Sequence, residues 1–180
     1  GVRLKNISLR DLQHHLGVSA FSEYAVVSRH SLVKINEDIS YDIAALFGCA
    51  VLTGVGAVIN TATLNAGQTV LVVGLGGVGL AALLGALAGG AAKVIAADIN
   101  ADKRTAALAM GAHHVVDPAM PEAVQEVKDI TGGGVDIAVE SAGAVKALEF
   151  AYASTRRGGI TVSAGLPHPS VSFALSPALL

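Results

Sequence analysis

Val70-Leu-Val-Val-Gly74-Leu-Gly76-Gly77-Val78-Gly79-Leu80 is the stretch that decides the fold. A β-branched run stops in four glycines within six residues, and an Ala- and Leu-rich segment follows as far as Ala91. Each glycine inside a helix costs up to about 1 kcal/mol. The pattern therefore predicts a buried strand over 70–73, a tight turn, and a helix over 80–91. The competing reading is a membrane span, because residues 43–92 contain no Asp, Glu, Lys, Arg or His and are long enough to cross a bilayer. Gly85 and Gly89 even form a small-xxx-small pair of the kind that packs membrane helices. Against it stand the glycine-broken β run and the lack of aromatic belts and flanking basic clusters. No membrane partner is expected.

Downstream, apolar runs alternate with helical stretches. The expected elements are a strand over 93–98, a helix over 101–110 closed by Gly111, a strand over 114–117 and an exposed helix over 121–130 opened by Pro121. Gly132-Gly-Gly134 ends that helix. A strand over 135–140, a helix over 144–154 and a strand over 160–164 complete the series. Strands joined by right-handed helical crossovers make an α/β, doubly wound parallel sheet. Upstream, an apolar helix is expected over 50–63. Before it, Ser22-Glu-Tyr-Ala-Val-Val-Ser28 and Ser31-Leu-Val-Lys-Ile35 alternate as antiparallel strands do. They are too few to enclose a core and must pair with something else. Two regions follow, residues 1–48 and residues 49–180.

At 180 residues with 52% hydrophobic side chains, the chain is one globular domain with an appendage, and disorder is excluded. Twelve Lys and Arg against 14 Asp and Glu give a net charge of -2, and no basic cluster exceeds Arg156-Arg157. No nucleic-acid partner is expected. One cysteine cannot close an internal disulfide, and no basic and apolar leader pattern opens the sequence. The expected location is cytoplasmic.

Gly74-Leu-Gly76-Gly77-Val78-Gly79 is a G-x-G-x-x-G that follows a strand and opens a helix. Gly74 permits the tight turn, Gly76 lets backbone approach a pyrophosphate, and Gly79 lets helix and strand pack closely. The helix N-terminus adds free N–H groups and a positive dipole end. Asp98, at the end of the second strand, stands where a carboxylate would accept the adenosine ribose hydroxyls of NAD. A 2'-phosphate at about 4 Å from it would cost about 4 kcal/mol at an effective dielectric of 20, before screening. The expected cofactor is NAD rather than NADP. A purely structural strand-helix turn remains the plain alternative for the glycines. Asp98, Asn100 and Asp102 are all candidate caps of the following helix. Lys103 fits the ribose edge or a solvated face equally, and Arg104 receives no role.

On these residues the sequence resembles the zinc-dependent medium-chain alcohol dehydrogenases, the family of liver alcohol dehydrogenase and the glutathione-dependent formaldehyde dehydrogenases. The matching stretches are His14-His-Leu-Gly-Val-Ser-Ala-Phe-Ser-Glu-Tyr24, Gly48-Cys-Ala-Val-Leu-Thr-Gly-Val-Gly56, the glycine loop, Asp98-Ile-Asn-Ala-Asp-Lys103, Gly134-Val-Asp136, Glu140-Ser-Ala-Gly143 and Gly165-Leu-Pro167. The resemblance implies a Rossmann sheet with about five of its six strands, preceded by strands of a GroES-like catalytic domain. It implies that Cys49 is a catalytic zinc ligand and that Thr53 and Val78 pack on the nicotinamide. Asp98 and Lys103 become ribose contacts, Ala164 a backbone contact of the carboxamide, and Leu16 and Leu166 neighbours of the substrate pocket. Without the resemblance, a lone cysteine in an apolar stretch reads as a buried small hydrophobe.

The family's other catalytic zinc ligands and its structural zinc lobe match nothing in this sequence. Three protein ligands are needed, so zinc is expected in a longer parent protein and not on this chain alone. His113-His114 is read as surface. The implied reaction is hydride transfer between an alcohol or aldehyde and NAD(H), with this chain by itself inactive. A non-catalytic NAD-sensing domain and a zinc-free quinone-reductase relative are the rivals, and Cys49 with Asp98 disfavours the second. Val171-Ser-Phe-Ala-Leu175 reads either as an edge strand that joins two copies into a homodimer or as a loop set by Pro167 and Pro169.

Overall fold

The computed structural model describes residues 23–174 and, before them, the two short strands Leu4–Lys5 (β1) and Asp11–Leu12 (β2). The chain forms two units, Gly1–Tyr41 and Asp42–Leu180. In the first, β1 and β2 pair antiparallel, with Leu4 opposite Leu12 and Lys5 opposite Asp11. The alternating runs expected to be strands are not: residues 23–28 and 32–35 join no ladder, and a single 3-10 turn at Arg29–Ser31 separates them. The physical reason is local. Strands need a partner for their N–H and C=O groups, and the apolar positions of these runs face solvent, with Tyr24 91% and Val26 96% exposed. Ser28 instead caps the turn by accepting from the His30 N–H.

A continuous helix, Tyr41–Thr61 (α1), starts nine residues before the predicted 50 and belongs to the second unit from Asp42 onward. It widens into π turns at Phe47–Val51 and Ala57–Thr61. Asp42 in its first turn complements the helix dipole. By length and composition it is the one helix among the described residues able to cross a membrane. One face of it is used inside the protein: Gly54, Ala57 and Val58 are buried.

Five strands follow: Thr69–Val73 (β3), Lys93–Ala97 (β4), His114–Val116 (β5), Val135–Glu140 (β6) and Thr155–Ser163 (β7). They form one sheet in the order β5-β4-β3-β6-β7, parallel throughout. The crossovers are the helices Gly77–Ala88 (α2), Ala101–Ala109 (α3), Ala123–Thr131 (α4) and Val145–Ser154 (α5). The fold is thus the α/β doubly wound sheet read from the sequence. Its central strands are apolar on both faces, as a sheet covered on both sides requires. Val70, Val72, Val94 and Val139 pack with Val58, Leu83 and Ala86 on one face. Leu71, Val73, Ile95 and Ala138 pack with Val127, Phe150 and Ala151 on the other.

The small residues of α2 serve the packing of this unit. Gly85 lies against Val55, where a Cβ would stand 3.2 Å from the Val55 Cα, and Gly89 lies against Ile59 and Leu64. Helix α2 begins three residues before the expected 80, so Gly77 and Gly79 are inside its first turn. Asn100, among the three candidates, is the cap of α3, accepting from the N–H of Asp102 and Lys103. Strand β7 begins five residues before 160, because Thr155 already pairs with Val135; a bulge then separates this pair from the regular register that starts with Ile160 opposite Ile137, and Arg156 within it donates Nε to Asp136 Oδ1 at 2.8 Å. Residues 171–174 belong to no strand, against the edge-strand reading. The loop sets them instead, with the Val171 N–H donated to the His168 carbonyl at 3.0 Å. Leu175 lies outside the described residues.

Candidate functional site

The sheet order reverses between β3 and β6, and doubly wound sheets open a crevice at the carboxyl ends of the strands on either side of such a point. Here β3 ends in Gly74, whose φ of +89° and crowding by Ala142, 2.7 Å from a built Cβ, admit only glycine. The Gly74 N–H is donated to the Ala97 carbonyl at 2.8 Å. Ser141, at the end of β6, donates its hydroxyl to the Gly74 carbonyl at 2.8 Å. A side chain at Gly79 would overlap that same carbonyl oxygen. Gly76 differs: it is exposed, and nothing lies within 4 Å of a built Cβ. The three glycines thus divide into two that close the turn and one that leaves its backbone open to a ligand.

Asp98 is 8% exposed and reaches the glycine loop. Its Oδ2 accepts from the Leu75 N–H at 2.8 Å and its Oδ1 from the Asn100 N–H at 2.9 Å. Lys103 Nζ stands 3.8 Å from Oδ2, so the two sequence-predicted ribose residues are brought together. Arg104, given no role by the sequence, donates to the Asp98 carbonyl at 2.6 Å and pairs with Asp117 at 3.1 Å. It ties the end of β4 to the loop after β5. A cleft of about 440 Å³ opens over these strand ends, lined by Gly74, Asp98, Ile99, Ala142 and Lys146 among others. Lys146 also escaped the sequence reading, being an unremarkable exposed helix residue until the fold places it beside Asp98's cleft.

Thr53 and Ala164 line a second groove of about 460 Å³, with Leu52, Val162 and Ser163. Helix α1 reaches this position by backbone contact, since a side chain at Gly54 would overlap the Val78 carbonyl. Val78 is half-buried in the first turn of α2 and so lies beside the residue that follows Thr53. Gly77 meets the same helix, with a built Cβ 3.4 Å from that of Ala50. The Ala164 N–H is donated to the Glu140 carbonyl at 2.8 Å, so a ligand amide can meet this residue only through its carbonyl.

Cys49 is exposed, one turn before Thr53 on α1. Among the described residues no three His, Cys, Asp or Glu side chains gather to hold a metal. The described chain therefore offers zinc a single thiolate, short of the three ligands a catalytic site uses. Leu166 is exposed, and Leu16 lies outside the described residues. His113 is at the surface, its Nδ1 accepting from the Val94 N–H at 3.0 Å.

A zinc-binding dehydrogenase family model matches residues 77–180. A protein of Schizosaccharomyces pombe named "Probable S-(hydroxymethyl)glutathione dehydrogenase 1" is 46% identical over 145 residues, which are 79% of this chain and 38% of that protein. Alcohol dehydrogenase class-2 isozyme 2 of Oryctolagus cuniculus is 43% identical over 142 residues, 78% of this chain and 38% of that protein. The crystal structure of an alcohol dehydrogenase zinc-binding domain protein from Burkholderia ambifaria superposes with a TM-score of 0.89 at 28% identity, covering 97% of this chain and 48% of the other. The chain spans less than half the length of the curated relatives it matches.

Proposed function

The chain belongs to the zinc-binding dehydrogenase family, and from that premise we propose that it is the NAD-binding part of an alcohol dehydrogenase transferring hydride between an alcohol or aldehyde and NAD(H). The observation that carries the reading is the Asp98 carboxylate at the rim of the cleft over the glycine loop. The adenosine ribose would accept a place there by donating hydroxyls to the lone pairs that Leu75 and Asn100 leave on Asp98, with Lys103 alongside. The pyrophosphate would lie over Gly76, Gly77 and the first turn of α2, where free N–H groups and the dipole favour anions. Thr53, Val78 and the Ala164 carbonyl would hold and orient the nicotinamide, whose ring supplies the hydride acceptor or donor.

Zinc belongs, on this reading, to the longer protein: Cys49 would contribute one thiolate and the remaining ligands would come from outside the described residues. The 180-residue chain alone then binds NADH and oxidises no alcohol. Fluorescence titration with NADH and NADPH tests the first half, with NADH expected to bind more tightly. Zinc-dependent turnover by the purified 180-residue chain would refute the second. A cytoplasmic homodimer completes the proposal. With residues 171–174 in no strand, the homodimer rests instead on β7, which stands at one end of the sheet order among the described strands, and light scattering at micromolar concentration would check it.

A further inference from the structure

Glu140 closes β6 as a carboxylate at the end of an apolar buried strand, and it is 1% exposed. A carboxylate so placed is costly unless its oxygens are hydrogen-bonded. Both are. Oε1 accepts from the Gly143 N–H at 2.7 Å, and Oε2 from the Ser163 hydroxyl at 3.0 Å. The backbone carbonyl of the same residue accepts from the N–H groups of Ala164 at 2.8 Å and Gly165 at 3.2 Å. One residue therefore takes four hydrogen bonds, one from Gly143 in the loop after β6 and three from residues 163–165, where Ser163 and Ala164 line the second groove. Gly165 packs into this knot: a side chain there would overlap the Gly143 N and stand 2.7 Å from Oε2. The next residue, Ser141, bonds the other way, to the carbonyls of Val73, at the end of β3, and Gly74, at the start of the glycine loop.

We infer that Glu140 is the positioning residue for the nicotinamide half of the cofactor seat, while Ser141 positions the phosphate half. This rests on the NAD-binding reading above. The consequence is a division of labour across one peptide bond. Removing the Glu140 carboxylate frees the Gly143 N–H and the Ser163 hydroxyl, so that Ala164, next after Ser163, is held only through the Glu140 backbone carbonyl, while the hydrogen bonds of Ser141 to Val73 and Gly74 stay in place. Removing the Ser141 hydroxyl releases the Gly74 turn and leaves the Ser163–Gly165 strap in place. Glu140→Gln keeps the knot, because the amide oxygen can accept from Gly143 while its NH₂ donates to a Ser163 hydroxyl turned to accept.

The test compares NADH with ADP-ribose, which lacks the nicotinamide, by calorimetry on the full chain. Glu140→Ala is expected to weaken NADH about tenfold and ADP-ribose less than about twofold, a loss the size of one or two hydrogen bonds. Glu140→Gln is expected to stay within about threefold of the unmodified protein for both ligands, and Ser141→Ala to weaken both ligands equally. Equal losses of the two ligands in Glu140→Ala, or none, would overturn the inference. Should Glu140→Ala not fold, Ser163→Ala carries the test, with NADH about threefold weaker and ADP-ribose unchanged. Equal effects there overturn it too. An unmodified protein that binds neither ligand would instead overturn the NAD-binding reading itself, and the inference with it.

Discussion

The Asp98 carboxylate and the Leu75 amide are joined by a 2.8 Å hydrogen bond that crosses from the end of β4 to the second residue of the glycine loop. The residue read from the sequence as a cofactor discriminator is therefore also a strut of the loop. Asp98→Ser is expected to weaken NADH as well as to shift preference toward NADPH, because the Leu75 N–H loses its buried acceptor, at about 1–3 kcal/mol. Asp98→Asn keeps an oxygen for Leu75 and should show the shift with a smaller loss. Paired titrations of both variants with both nucleotides check this. Equal NADH affinity in Asp98→Ser and the unmodified protein would show that the strut carries nothing.

Gly76 and Gly79 belong to one motif and predict opposite phenotypes. Gly76 faces open space and Gly79 faces the Gly74 carbonyl. Gly76→Val should leave the thermal midpoint nearly unchanged and abolish NADH binding, since the branched side chain occupies the approach of the phosphates. Gly79→Ala should lower the midpoint, at a cost of about 1–3 kcal/mol for overpacking. Differential scanning calorimetry beside NADH titration separates the two.

Gly54 brings α1 onto α2 at backbone distance from Val78. Gly54→Ala is expected to push the helices apart, destabilising by about 1–3 kcal/mol and weakening NADH through the displaced Thr53. Urea unfolding gives the first effect. An unchanged denaturation midpoint would argue that the helix contact is dispensable.

Asp136 links β6 to the start of β3 and to β7. Partial burial pushes its carboxyl up, and this is outweighed by hydrogen bonds from the Thr69 N–H and from Arg156, with the Thr69 hydroxyl and the guanidinium charge adding to them; the net position is below the ordinary carboxylate value. A carboxyl lowered by folding contributes stability that is present above its unfolded value, about 3.9, and lost as pH falls through the folded value. Urea midpoints measured at pH 7 and pH 3 should therefore converge in Asp136→Asn relative to the unmodified protein. An identical acid slope in both proteins would remove Asp136 from the account.

Much of this was legible in the linear order of residues because it depends on near neighbours. The break from β-branched run to glycines to an Ala- and Leu-rich helix placed β3, the turn and α2, and the alternation after it determined the parallel sheet. The glycine loop and Asp98 could be read because a phosphate turn and the strand beside it keep a nearly constant separation along the chain. Glu140 could not be assigned a role this way. Its carboxylate acts on Gly143, three residues on, and on Ser163, 23 residues on across a strand pairing, and no local pattern encodes which strand lies beside which. Arg104 and Lys146 were invisible for the same reason. The runs before residue 36 misled because alternation specifies a face and leaves the partner open; a strand exists only when another backbone accepts its hydrogen bonds. Local sterics and hydrophobic period thus determined the elements and the loop, and the non-local hydrogen bonds at the ends of β3, β4 and β6 decided which side chains meet in the crevice.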